Sequence, residues 1–268
     1  MKIGSQAHRS TAISTSNESV IVVRGHNLTD ELIGRISFTD HFWLLLTGDL
    51  PSAAQRTILD ATLVAIAEHG LVPSVQASRM TLAASPEALQ GAVAAGILGC
   101  GSVVLGSSET AGRFLAEIAQ RAAGSDIESA AAAVIREYKA ARRAIPGYGH
   151  PLHKDYDPRA LRLFEIAAAT LEHTRHVDIA RAVARLLPQL LGKPLAINVS
   201  GAIPAVLLDA GYPIGALKGV PLLARTAGLI AHLLEEQLRP IGFVMSHAAA
   251  AAIGYDGERP EGFEESHD

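Results

Sequence analysis

The stretch Pro146–Ala160, "PGYGHPLHKDYDPRA", gathers two His, one Lys, one Arg and two Asp into fifteen residues. Pro146, Gly147 and Gly149 permit a tight turn whose backbone approaches a ligand closely, and His150 stands at its end. Asp157 followed by Pro158 reads as a helix cap and first helical residue, opening the periodic segment "RALRLFEIAAATLEH". Arg159 sits two residues beyond the cap, so its guanidinium reaches back toward the turn with a planar fork suited to a carboxylate. The stretch therefore reads either as a ligand cradle or as a surface turn leading into a capped helix.

Outward from it the chain is helical in pattern. Ala, Leu and Arg dominate, and β-branched and aromatic residues are sparse over most of the length. Ser52 with Gln55 makes a capping-box pattern before "RTILDATLVAIAEHG". Ser85 with Pro86 predicts a further start before "EALQGAVAAGILG", and Gly70 and Gly124 follow periodic segments as stops. Only "SVIVVRG", Ser19–Gly25, predicts a short strand or hairpin arm. The fold class expected is all-α with a short N-terminal extended segment. The last thirteen residues, "DGERPEGFEESHD", are acidic and carry Gly and Pro, as a mobile or partner-draped tail does.

A length of 268 residues suffices for a large core without staples. The balance of 23 Lys+Arg against 27 Asp+Glu, with no basic run, excludes a phosphate-backbone track, so nucleic acid is not an expected partner. The single cysteine, Cys100, makes no intrachain disulfide, and "MKIGSQAHRS" lacks a signal-like apolar stretch; the expected location is cytoplasmic. Charges are expected to interrupt the apolar runs before the roughly 18 residues that a membrane span needs.

Arg225 stands inside the apolar helical pattern "VPLLARTAGLIAHLLEEQLRPIG". A cation there is expensive unless an anion meets it, which makes Arg225 a candidate anion receptor. Arg239 ends the same pattern, where a cation complements a helix C-terminus. His69 sits at another helix end, before Gly70. His232 and Glu236, one turn apart without an HExxH arrangement, read as a solvated pair, and no metal site is expected. "GCGSVVLGSSE" has neither the Lys nor the strand context of a phosphate loop.

In order, "VVRGHNLTDELIGRISFTDHFWLLLTGDLPS", "AEHG", "GYGHPLHKDYDPRA" and "ARTAGLIAHLLEEQLRP" resemble the citrate synthase and citryl-CoA lyase superfamily over almost the whole chain. The short length resembles the compact lyases. The resemblance implies an all-helical homodimer, with 1–106 plus 213–268 as a large domain and 107–212 as a small one that closes over the ligand. It implies that His69, His150, Arg159 and Arg225 hold the oxaloacetate or citryl group and that Arg239 serves the neighbouring subunit's site. Gly147, Tyr148 and Gly149 match the segment that wraps the CoA adenine through its backbone. The coenzyme A thioester is then a substrate, and no tightly bound cofactor is expected.

Two positions depart from the family pattern. Leu105 in "GSVVLGSSE" falls where synthases carry a His acting on the thioester carbonyl. In "INVSG", Ser200 replaces the Asp that moves the α-proton of acetyl-CoA, a general-base contribution of roughly 10²–10⁴ in rate. Catalysis is assigned to His150 at the tertiary hydroxyl and to Ser200 as a donor to the thioester oxygen, with water or Glu109 supplying the proton. The expected activity is making or cleaving a C–C bond between an acyl-CoA and a 2-oxo acid. The Ser200 departure leaves two alternatives open: an acyl-CoA thioester hydrolase, or a non-catalytic paralogue that binds CoA or a tricarboxylate.

Overall fold

The computed structural model describes residues 10–101, 107–124, 126–149 and 156–263. A three-stranded antiparallel sheet comes first: β1 (Ser14–Ser16), β2 (Ile21–Val23) and β3 (His26–Asn27), in that order. Arg24 and Gly25 join β2 to β3 with φ of 49° and 88°. Positive φ at both positions is the two-residue hairpin turn that matches strand twist, and Gly25 takes it without strain. Arg24 accepts the strained position while its guanidinium donates to the Leu45 carbonyl, 2.9 Å from Nε. The "VVRG" expectation of a short extended arm holds, and a turn of π-helix over Leu28–Leu32 follows it.

Helices make up the rest: α1 (Phe38–Thr47), α2 (Ala53–Ile66), α3 (Pro73–Ala84), α4 (Leu89–Leu98), α5 (Ser107–Arg121) and α6 (Ile127–Ala140). After them come α7 (Pro158–Thr170), α8 (Arg175–Leu191), α9 (Val199–Asp209), α10 (Gly219–Leu238) and α11 (Gly242–Ala252). The Ser52–Gln55 capping box and the Asp157–Pro158 start form as expected. Ser85–Pro86 does not start a helix. Ser85 closes α3 and bonds Glu87, and α4 begins at Leu89. α2 likewise ends before Gly70, which takes φ of 68° in the loop beyond it.

The chain divides into two compact units, Met1–Glu68 with Cys100–Arg225 and His69–Gly99 with Thr226–Asp268. In the first, α2 and α5 to α9 enclose one apolar core around residues such as Ile58, Phe114, Ile135, Leu163 and Ile203. Polar ties fix the helix ends. Gln55 of α2 donates to the Ala210 carbonyl just past α9 (2.9 Å), and Asp209 accepts the His176 and Val177 N–H groups that open α8. A carboxylate at that helix N-terminus satisfies orphan donors and complements the dipole.

The second unit packs α3 against α4 and α11, with Leu82, Ala92 and Leu233 at its core. Arg79, 2% exposed, is its polar centre. Its Nε donates to Glu236 (2.6 Å), its Nη1 to Glu235 (2.8 Å) and its Nη2 to the Arg239 carbonyl (3.0 Å). Glu236 also accepts the Ile241 and Gly242 N–H groups. The solvated His232–Glu236 pair expected from sequence is therefore corrected: Glu236 is 3% exposed and belongs to a buried ion pair.

One membrane expectation also changes. Ile214–Leu238, 25 residues with a mean hydropathy of 1.3 in its best window, is long and apolar enough by length and composition to cross a bilayer. Val220 and Ala224 are buried in the first unit's core and Leu233 in that of the second, and buried Arg225 stands mid-helix.

Candidate functional site

The turn at Gly147–Gly149 is built against the start of α9. Tyr148 pairs with Ile197 in an antiparallel bridge. Gly149 N–H donates to the Ala196 carbonyl (2.7 Å), and Asn198 N–H to the Gly147 carbonyl (3.0 Å). The Asn198 side chain caps α9 and donates to the Gly149 carbonyl (2.7 Å). Gly147 has φ of 86°, and a Cβ there would lie 2.6 Å from the Gly201 Cα. A Cβ on Gly201 would meet the Gly147 carbonyl oxygen at 2.6 Å, so two backbones touch where side chains are excluded. The bridge engages both glycines and leaves the N–H and C=O of Tyr148 itself facing away from Ile197. Its ring is buried, with the hydroxyl donating to the Ala180 carbonyl (2.8 Å), and burial pushes the phenol pKa up.

Ser200 occupies the first turn of α9, half-buried, between Val199 and Gly201. Asp157 connects this turn to Arg159. Its Oδ1 accepts the Arg159 N–H (3.0 Å) and Nε (3.1 Å), and its Oδ2 accepts Arg159 Nη2 (2.9 Å) and Val199 N–H (2.9 Å). Asp157 is 1% exposed. Burial pushes its carboxyl up, but the Arg159 guanidinium and the Val199 N–H outweigh it and hold the pKa below the ordinary value. The Arg159 fork does meet a carboxylate, then, but that of its own helix cap. The sequence pattern assigns Asp157 only the cap; the available signal is the D-P-R spacing, which lets the Arg159 guanidinium fold back onto the capping carboxylate.

A cavity of about 390 Å³ opens beside this assembly, lined by Tyr156, Asp157, Leu161, Ala184 and the strip Pro194–Ile197. A second, of about 380 Å³, lies between α2 and α7 and is lined in part by Arg159. The Asp157–Arg159 ion pair thus contributes a wall to each.

Arg225 is 3% exposed, and its Nε and Nη1 have no hydrogen-bond partner among the described residues. A buried guanidinium left this way is costly, and a bound anion removes the cost. Glu109 lies in the first turn of α5 and pairs with Arg113 (2.9 Å). His69 and Arg239 belong to the second unit, both exposed. His150 and Leu105 lie outside the described residues. The structure therefore brings together Gly147, Tyr148, Gly149, Arg159 and Ser200, while no hydrogen bond among the described residues joins Arg225 to that group. Among the described residues no cluster of His, Cys, Asp and Glu is arranged to hold a metal.

Residues 53–241 match the citrate synthase C-terminal domain. The chain belongs to the citrate synthase family. The fold of citryl-CoA lyase from Hydrogenobacter thermophilus superposes with a TM-score of 0.84 at 32% identity, covering 95% of this chain and 97% of that one. A Bacillus subtilis citrate/2-methylcitrate synthase is 27% identical over 205 residues, 75% of this chain and 53% of the relative. This citrate synthase-family chain spans about half the length of the curated relatives it matches. ATP citrate lyase from Methanothrix soehngenii, solved with citrate and coenzyme A, shares the fold at 21% identity and a TM-score of 0.76, covering 96% of this chain and 43% of that one.

Proposed function

We propose that this family member is an enzyme of the citryl-CoA lyase type, cleaving or making the C–C bond between an acyl-CoA and a 2-oxo acid such as oxaloacetate. The observation that carries the reading is Arg225, a buried guanidinium whose Nε and Nη1 have no partner among the described residues, where the family resemblance expects a substrate carboxylate. The match to a citryl-CoA lyase over nearly the full length of both chains supports it.

In the cleavage direction the tertiary hydroxyl of citryl-CoA loses its proton, to His150 in this reading. The oxygen's electron pair forms the carbonyl of oxaloacetate as the C–C bond breaks. That bond's pair moves into the thioester enolate, which takes a proton to become acetyl-CoA. Arg225 neutralises a carboxylate of the oxo acid, and Arg159 does so once its fork turns from Asp157 or shares it. Ser200 donates a hydrogen bond to the thioester oxygen, and water or Glu109 returns the proton. Tyr148 presents its backbone to the adenine. His69 joins the oxo-acid site, and a homodimer delivers Arg239 to the partner's site. The cytoplasm is the proposed location.

A second reading rests on Ser200 alone. A hydroxyl is no base near neutral pH, so a paralogue that binds CoA or citrate without chemistry is the competitor. Incubating purified protein with synthetic citryl-CoA separates them, with Ser200→Asp alongside and products read by mass spectrometry. Acetyl-CoA and oxaloacetate from the wild type are expected. Intact citryl-CoA in the wild type with cleavage by the variant shows a scaffold that binds the family's ligand and whose own task is another substrate or no chemistry, and free CoA without oxaloacetate establishes a hydrolase.

A further inference from the structure

We propose that Asp157 is a positioning residue that aims Arg159 at the oxo acid and pins the turn carrying Ser200. This rests on the oxo-acid reading above and adds a residue to it. Both oxygens of one carboxylate are fully used: three bonds go to Arg159 and the fourth to the Val199 N–H, one residue before Ser200. The carboxylate is 1% exposed while the Arg159 side chain keeps 24% exposure, so the guanidinium is accessible and its anchor is not. An arginine on a free stem samples many rotamers; one fixed by Nε and Nη2 keeps Nη1 outside the clamp, in a defined direction.

The fourth bond makes the arrangement more than a clamp. Val199 N–H is among the orphan donors at the start of α9, and Asn198 serves the Gly201 N–H, leaving Val199 to Asp157. A substrate carboxylate that meets Nη1 leaves the Nε and Nη2 fork on Asp157, whose Oδ2 also holds the start of α9. Charge at Arg159 and the seat of Ser200 are thus linked through one side chain. In a site without the family's Asp at position 200, that link fixes where the serine hydroxyl stands.

Calorimetric titration of the full chain with oxaloacetate and, separately, with CoA tests this. Asp157→Asn keeps the shape and the helix cap but loses acceptor capacity. It is expected to weaken oxaloacetate binding by about 10- to 100-fold, the range for a hydrogen bond to a charged group, with CoA within about twofold. Added to Arg159→Gln, it is expected to change oxaloacetate affinity by less than about twofold, since it acts through Arg159. Amide exchange at Val199 in the free protein is expected to accelerate by about tenfold or more. Asp157→Ser, which caps without forking, repeats the titration should Asp157→Asn fail to fold. Wild-type binding with unchanged affinity in the variants, losses that add in the Arg159→Gln background, or unaltered exchange at Val199 overturns the proposal. A wild type that binds no oxaloacetate overturns the proposed function and the substrate role of Asp157 with it, whatever exchange reports about the pin.

Discussion

Arg79 and Arg225 are buried alike, 2% and 3% exposed, one in each unit, yet their surroundings are opposite. Arg79 spends all three nitrogens on Glu236, Glu235 and the Arg239 carbonyl. Arg225 keeps Nε and Nη1 without partners among the described residues. A buried cation that is satisfied is architecture, while one left unsatisfied carries a cost that a bound anion would remove. Exposure alone does not separate the two; the census of donors does.

The sharpest way to break this contrast is Arg79→Met. It strands Glu236 in the second unit, and urea titration should report a loss of about 3–5 kcal/mol. Arg225→Met removes a charge without stranding a partner. Stability is expected to hold or rise by about 1 kcal/mol, while oxaloacetate binding disappears from calorimetry. A drop in stability as large as that of Arg79→Met would place Arg225 in the architecture.

Acid sharpens the comparison further. Burial pushes the Glu236 carboxyl up, but Arg79 and the Gly242 and Ile241 N–H groups outweigh it and hold the pKa below its ordinary value. Between the folded and unfolded pKa values the unfolded chain binds more protons, so this stabilisation is complete above about 4.3 and is lost as pH falls through the lower folded value. Glu236→Gln is expected to flatten the stability profile between pH 5 and 3, measured by urea midpoints, although it lowers stability at pH 7. Arg239→Gln should have the smallest effect. Only its carbonyl serves Arg79 and its side chain is exposed, so stability should stay within about 0.5 kcal/mol by thermal melting.

How much of this was legible in the sequence differs by feature. Caps were readable where the signal is local: Ser52 with Gln55 and Asp157 with Pro158 decide their helices within four residues. Ser85–Pro86 carried the same local signal and misled, because Ser85 terminates α3 and its hydroxyl turns to Glu87. Arg225 was legible because a charge in an apolar helical run is anomalous wherever it folds. Arg79 was not, since "PSVQASRMTLAA" is polar enough to accommodate a surface arginine, and its partners lie more than 150 positions away. Glu236 failed for the same reason. The second role of Asp157 was hidden because Val199, 42 positions on, supplies the fourth bond.

The contact between Gly147 and Gly201 has an evolutionary consequence. A Cβ on either would meet backbone of the other, which no second substitution relieves, so the main chain around α9 is held by two positions that both stay glycine. Position 200, lying between Val199 and Gly201, escapes that bond. Its half-buried side chain stands on a frame fixed at the next residue, so a substitution at position 200 changes chemistry without redrawing the scaffold.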